Sequence, residues 1–149
     1  MALLVAVNGW DTGPWVARLK ARFPDRDIRS WPDAVGDPAD IRYALAWKAP
    51  AEALNACANL DVVFSLGAGV DHLLGQKNLP QVPIVRVVDP DLTARMSEWI
   101  ALQVLLHHRQ HLSYVAQQRE KVWRELTQPS ARDLRVGILG LGVLGLAAF

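Results

Sequence analysis

The segment Leu134-Arg135-Val136-Gly137-Ile138-Leu139-Gly140-Leu141-Gly142-Val143-Leu144-Gly145 joins an apolar run to the glycine pattern G-x-G-x-x-G. The apolar run has the length and composition of a buried strand. Glycines directly after a strand permit a tight turn, a close approach of backbone to a phosphate, and close packing of the next helix. The segment therefore predicts a dinucleotide-binding loop at Gly140, Gly142 and Gly145. A glycine-rich turn of some other α/β protein is the alternative.

Val143 and Leu144 lie in the first turn of the helix that is predicted after this loop. Their main-chain N–H groups would face the phosphates. A complete nucleotide-binding half also needs a second strand, and a charged residue about 20 positions on that reads the ribose. Only Leu146-Ala147-Ala148-Phe149 follow Gly145. We therefore expect the sequence to be truncated inside this fold, before the residue that would choose between NAD and NADP.

Upstream of this segment, apolar runs of strand length alternate with helical patterns. Parallel strands need crossover connections, which are usually helices, so this alternation predicts a parallel sheet over residues 1–92. Ligands of such sheets bind outside the carboxyl ends of the strands. The loops 8–13, 47–50, 65–71 and 88–93 are therefore the expected site walls. The predicted strands are Leu3–Val7, Asp27–Trp31, Tyr43–Trp47, Asp61–Ser65 and Pro83–Val88.

From Thr93 to about Trp123, apolar residues recur at helical spacing with no glycine or proline between them. This pattern predicts one long helix, or two helices joined by a kink. A helix of about 30 residues would reach about 45 Å, more than a small domain needs for its own core. We therefore expect residues 93–149 to hold a helix that links domains or subunits, followed by the start of the nucleotide-binding fold.

The composition argues against several classes of function. Lys plus Arg number 16 against 15 Asp plus Glu, and no basic run is present, so nucleic acid is not an expected partner. No apolar run reaches the roughly 20 residues that span a bilayer, and the N-terminus lacks the features of a secretion signal. The single cysteine, Cys57, lies in an apolar stretch typical of a buried thiol. We expect a cytoplasmic protein.

Two other site types are disfavoured by the pattern of polar residues. His107 and His111 lie one helical turn apart, but no cysteine or acidic third ligand accompanies them, so no metal site is predicted. Ser65 and His72 are close in sequence, but without the strained turn that exposes a nucleophile, or an oriented acid, a hydrolase triad is a poor interpretation.

Four stretches of the chain carry a resemblance to a known family. They occur in the family's order and spacing, and together they span the sequence. On these residues the chain resembles the D-isomer-specific 2-hydroxyacid dehydrogenases, and within them the bacterial glyoxylate/hydroxypyruvate reductase A group, in its N-terminal portion. The stretches are Ala46–Pro50, Val63–Asp71, Arg86–Pro90 continuing to Met96–Trp99, and Val136–Gly142.

The resemblance implies an α/β fold in three parts: a flavodoxin-like parallel-sheet substrate domain, a long linking helix, and the first strand and glycine loop of a Rossmann domain. It also implies that the main-chain N–H groups of Gly67-Ala68-Gly69-Val70 bind the substrate carboxylate. A loop of small residues can form such an anion-binding nest. The alternative for this loop is a tight turn in which Asp71 caps the next helix.

Three more residues gain roles by resemblance. Trp47 would wall the substrate pocket, although it could equally belong to the core. Met96 would lie on the nicotinamide side of the cofactor, although ordinary packing at a helix start is the alternative. The long helix would serve a homodimer, and Trp123 occupies a place from which an aromatic can reach the neighbouring subunit's active site or fold back on its own chain.

The reaction implied by the resemblance is hydride transfer from NADP(H) or NAD(H) to the keto carbon of a small 2-oxoacid, with NADP favoured. The family's catalytic Arg, its acidic partner and its His have no matching positions here. We therefore expect no catalytic residue in this chain, and no activity from its 149 residues alone. The competing hypothesis is a non-catalytic remnant that acts only as a folded or dimerising module.

Overall fold

The computed structural model describes residues 1–148 of the chain. The chain divides into two compact units, Met1–Val87 and Val88–Phe149.

The first unit is built on a five-stranded sheet in the order β2-β1-β3-β4-β5. Every pair of neighbouring strands is parallel, so the predicted parallel sheet is confirmed. This order is the flavodoxin-like one, in which the chain reverses its direction of winding between β1 and β3. The strands are β1 (Ala2–Val7), β2 (Asp27–Ser30), β3 (Ile41–Trp47), β4 (Val62–Ser65) and β5 (Ile84–Arg86).

Helices cover both faces of this sheet. On one face, Leu54 of α2 (Ala51–Asn55) and Leu73 of α3 (Asp71–Leu74) are fully buried among the small side chains of β1 and β3. On the other face, α1 (Gly13–Arg22) packs Val16 and Leu19 against the buried residues of β1 and β2. A sheet with helices on both faces needs strands that are apolar throughout, which explains the continuous apolar runs in the sequence.

The segment predicted to form one long helix, or two helices joined by a kink, forms two helices. The second of these alternatives is therefore confirmed. The two helices are α4 (Pro90–His108) and α5 (His111–Arg119). Gln110 separates them with a left-handed backbone, φ 53°. Helix α4 also begins earlier than the predicted Thr93, because the Asp89 carboxylate accepts a hydrogen bond from the Asp91 N–H at 3.0 Å and Pro90 suits the first helical position.

The predicted strand over Leu134–Leu139 is not hydrogen-bonded into a sheet in residues 1–148. A strand forms only with a partner, and no described segment of the second unit pairs with this one. The glycine loop follows it and leads into α6 (Val143–Ala147), as predicted. Single turns of 3₁₀ helix lie at Pro38–Asp40 and Ala131–Asp133.

No helix among the described residues is long and apolar enough to cross a membrane. Across the same residues, no three His, Cys, Asp or Glu side chains cluster as they would around a metal ion.

The Cys57 thiol is buried in the core of the first unit, as predicted. Burial raises the pKa of this thiol because the thiolate would lose its hydration. At pH 8 the folded chain should therefore react with a thiol-specific disulfide reagent roughly tenfold or more slowly than the same chain in denaturant. Equal rates in the two conditions would contradict this burial.

Candidate functional site

Trp47 ends β3 at the carboxyl edge of the sheet, beside the reversal point between β1 and β3. Its indole stacks on that of Trp10, which follows β1, with ring centroids 5.6 Å apart and an angle of 13° between the ring planes. The Asn8 N–H donates to the Trp47 carbonyl at 2.9 Å, which joins the two loops through the main chain. The reversal point, where such folds usually bind ligands, is therefore lined by a pair of tryptophans.

The loop after β4 packs directly against this pair. A methyl group added at Gly67 would come within 2.3 Å of Cζ3 of Trp47, well inside contact distance. Gly67 is therefore required here by close packing against the indole edge. Trp47 is partly buried, and it contacts both the core and the loop, so the two roles considered for it from the sequence are compatible.

The buried Ser65 side chain holds the same loop by hydrogen bonds to its main chain. Its hydroxyl accepts a hydrogen bond from the Gly67 N–H at 3.2 Å and lies 3.3 Å from the carbonyl oxygens of both Gly67 and Gly69. The side chain has no exposed surface. A buried hydroxyl committed to the main chain cannot serve as a nucleophile, which agrees with the rejection of a hydrolase triad.

Three successive main-chain donors in the loop remain free. No hydrogen bond within residues 1–148 uses the N–H groups of Ala68, Gly69 or Val70. Ala68 and Val70 are half-buried and Gly69 is exposed, and successive free donors grouped in a loop suit an anion. Asp71 begins α3 without accepting a capping hydrogen bond, so the alternative interpretation of the loop as an Asp-capped turn lacks its defining contact.

Two further side chains surround the Trp47 indole. The His72 ring lies 4.7 Å from it, centroid to centroid, and its buried Nε2 has no hydrogen-bond partner in the described residues. The Lys48 ammonium lies 5.9 Å from the centre of the same ring. Neither was singled out as a binding residue from the sequence, and nor was Trp10. Trp10 and Lys48 lie in the loops 8–13 and 47–50, which were predicted to form the walls of the site. That position is the only sequence signal that could have identified them as binding residues.

In the second unit, the glycine loop has the backbone that its sequence predicts. Gly140 has φ 96°, a left-handed value that favours glycine. A methyl group at Gly145 would lie 1.9 Å from the Gly140 carbonyl oxygen, so the third glycine is required by contact between the helix and the turn. These two glycines fulfil structural needs of the loop itself.

Gly142 differs from the other two glycines of the pattern. A methyl group there would meet nothing within 4 Å, and its φ of −80° suits any residue. Gly142 precedes α6, and no main-chain oxygen in residues 1–148 accepts from the N–H groups of Val143, Leu144 or Gly145. Packing within the chain therefore does not require glycine at this position. A phosphate that approached the free N–H groups would require it, because a side chain would occupy the same space.

The other predicted residues lie on or after the long helices. Met96 is half-buried on α4, and its neighbour Ser97 donates a hydrogen bond to the Ala147 carbonyl of α6 at 3.0 Å. Met96 therefore lies in the part of α4 that packs against the helix after the glycine loop. Trp123 is fully exposed, so the alternative in which it folds back onto its own chain is wrong.

The sequence is similar to reductases of known type over most of its length. Glyoxylate/hydroxypyruvate reductase A of Yersinia enterocolitica is 39% identical over 137 residues, which cover 88% of this chain and 43% of the relative. The corresponding protein of Escherichia fergusonii is 37% identical over 142 residues, 91% of this chain and 45% of the relative. The chain thus spans less than half the length of these relatives. No protein-family model matches it.

The chain is also similar to solved structures of 2-hydroxyacid dehydrogenases and reductases. The D-isomer specific 2-hydroxyacid dehydrogenase from Xanthobacter autotrophicus, in complex with NADPH and MES, is 39% identical with a TM-score of 0.85, over 99% of this chain and 48% of the other. The NADPH-dependent glyoxylate/hydroxypyruvate reductase from Sinorhizobium meliloti, in complex with NADP and sulfate, is 43% identical with a TM-score of 0.83, over 99% and 47%. The resemblance to the N-terminal portion of this family is confirmed.

The contact between Gly67 and Trp47 can be tested by adding one methyl group. Gly67→Ala should lower the free energy of unfolding by about 1–3 kcal/mol, because the indole or the loop must move. Denaturant titration measures this loss, and a change in tryptophan emission reports the movement of Trp47.

Gly69→Ala is the matched control. Its methyl group would meet only Oδ2 of Asp71 at 3.4 Å, an ordinary contact. This variant should stay within about 1 kcal/mol of the wild type. If the two variants were equally stable, the described packing of Gly67 would be incorrect.

Proposed function

We propose that this chain is the N-terminal part of an NADPH-dependent 2-oxoacid reductase of the glyoxylate/hydroxypyruvate type. In this proposal residues 1–92 bind the substrate acid, and residues 93–149 link domains and begin the cofactor-binding domain. The observation that carries it is the group of free N–H donors at residues 68–70, beside Trp47 and next to the reversal point of the sheet. The names of the relatives supply the reaction type.

The acid-binding part rests on the character of the loop. Gly67, Ala68, Gly69 and Val70 present main-chain donors with small or apolar side chains, so a carboxylate can approach closely. Hydrogen bonds from N–H groups to a charged carboxylate are roughly twice as strong as those between neutral groups. The Trp47 indole lies against the same loop and offers an apolar wall for a short carbon chain. A small 2-oxoacid such as glyoxylate fits this combination of groups.

The cofactor part rests on the second glycine loop. Gly142 leaves open space before the free N–H groups of Val143 and Leu144, which suits the pyrophosphate of a dinucleotide. Met96 is proposed to lie against the cofactor from α4. NADP(H) is favoured because three of the similar structures were solved with NADP or NADPH. When bound, the reduced nicotinamide supplies the hydride.

The residues of this chain would bind and orient the reactants. Donors at residues 68–70 would hold the carboxylate, and the Trp47 wall would limit rotation of the acid, so that its keto group is held in one orientation. The chain spans less than half the length of the relatives it matches, and turnover is proposed only for a polypeptide of their full length. A cytoplasmic location is part of the proposal, and a single unpaired cysteine such as Cys57 is compatible with that reducing compartment.

A homodimer through the long helices is also proposed. Large apolar side chains lie exposed along this region, and Trp123 has all of its surface accessible. A hollow of about 830 Å³ lies beside it, with walls that include Tyr114 and Val122. Exposed apolar patches of this kind are typical of protein interfaces. The exposed apolar residues are Trp99, Leu102, Leu105, Leu112, Val122 and Trp123.

The second candidate function is a non-catalytic module that only folds or pairs through these helices. The exposed apolar residues of the second unit favour it equally. NADPH oxidation with glyoxylate separates the two, if the protein purified from its own source is compared with the 149-residue chain. Activity in the native protein and none in the 149-residue chain is the expected result. A native protein that has the mass of this chain and no activity would favour the module.

The cofactor site makes a prediction at Gly142. Gly142→Ala should leave the free energy of unfolding unchanged within about 0.5 kcal/mol, because its methyl group meets no protein atom. It should weaken NADPH binding roughly tenfold, since the methyl group occupies the space left for the phosphates. A fluorescence titration of NADPH measures the dissociation constant.

Gly137→Ala provides the comparison, because a methyl group there also meets nothing within 4 Å and the residue precedes the glycine loop. This variant should bind NADPH as the wild type does. Unchanged NADPH binding by Gly142→Ala would contradict the proposed cofactor site.

A further inference from the structure

Lys48 combines a strained backbone with a charge that forms no ion pair among residues 1–148. Its φ of 49° lies in the left-handed region, which costs a lysine free energy that glycine would avoid. Strained residues persist where the surrounding structure holds them in place, and they occur frequently at functional sites. The strained backbone therefore indicates that the Lys48 side chain has a function.

The main chain on both sides of Lys48 is fixed by hydrogen bonds. The Trp47 carbonyl accepts from the Asn8 N–H at 2.9 Å, and the Ala49 carbonyl accepts from Nε2 of Gln76 at 2.7 Å. Ala49 has no exposed surface. These contacts hold the turn after β3 on both sides of Lys48.

The side chain extends over the same indole that supports the acid-binding loop. The Lys48 ammonium lies 5.9 Å from the centre of the Trp47 ring, and the edge of that ring contacts Gly67. No carboxylate within the described part of the chain forms an ion pair with Lys48. The nearest acid to the loop, Asp71, has Oδ2 within 3.4 Å of a methyl group built on Gly69, so it opposes the approach of an anion.

We propose that Lys48 is a second anion-binding residue of the acid site, which attracts the substrate carboxylate and offsets the repulsion from Asp71. The proposal rests on the proposed function, since it needs an acid bound at residues 68–70. A cation at the edge of a site raises the affinity and the association rate of an anion, and both effects decrease with salt. Lysine, with a mobile point charge, serves this purpose without fixing one geometry.

The test is a titration of the 149-residue chain with glyoxylate at low and high ionic strength, followed by NMR of the main-chain amides. Lys48→Met keeps the length of the side chain and removes its charge. It should weaken glyoxylate binding roughly threefold to tenfold at low salt, and the difference from wild type should diminish at high salt. Lys48→Arg should retain the affinity. Lys77→Met removes the charge of another exposed lysine of the same unit. This variant should change neither the affinity for glyoxylate nor its dependence on salt.

Lys48→Gly separates the charge from the strain. Glycine adopts the left-handed backbone freely, so this variant should unfold at a higher denaturant concentration than the wild type. It should nevertheless bind glyoxylate as weakly as Lys48→Met does. A loss of affinity that accompanies a gain of stability cannot result from damage to the fold.

The outcomes distinguish the two proposals. If wild type and Lys48→Met bind glyoxylate equally while the amides of Ala68 and Gly69 shift in both, the role of Lys48 is wrong and the acid site stands. If glyoxylate shifts no amide of the loop in the wild type, the acid site fails, and the role of Lys48 fails with it.

Discussion

The contact between the Trp47 indole and Gly67 is the constraint on which the acid-binding site depends. The indole lies so close to the main chain of the loop that no side chain fits at residue 67. Trp10 supports it by stacking, and Ser65 holds the loop by hydrogen bonds from the buried side. With the loop held in this way, the N–H groups of residues 68–70 have no acceptor within the described chain and can serve a ligand.

The sheet explains why this contact forms where it does. In a flavodoxin-like order, the loops after β1 and β3 flank the reversal point, where ligands of such folds usually bind. Here Trp10 and Trp47 stack on each other at that point, and the free donors lie in the loop of the adjacent strand, β4. The tryptophans thus provide an apolar wall, and the neighbouring loop provides the polar contacts. This division suits a ligand with a carboxylate at one end and a short carbon chain at the other.

Much of the fold could be predicted from the sequence because strand and turn signals are local. The apolar runs and the glycine pattern are short, and each strand they predicted in the first unit formed. The position of the break at Gln110 could not be predicted, since no glycine or proline marks it. It accompanies contacts from the chain beyond α5: the Gln110 amide donates to the Thr127 carbonyl, and the Leu126 N–H donates to the Tyr114 hydroxyl at 3.1 Å. The stack of Trp10 on Trp47 likewise joins residues far apart in sequence, so it needed the structure.

The most direct test of the acid site is a ¹⁵N–¹H correlation spectrum of the chain, recorded as glyoxylate is added and, separately, as a neutral compound of the same size is added. The amide signals of Ala68, Gly69 and Val70 should move downfield and saturate with glyoxylate alone, because only a carboxylate forms charge-assisted hydrogen bonds with them. Signals that stay in place, or that move equally with the neutral compound, would contradict an acid site at this loop.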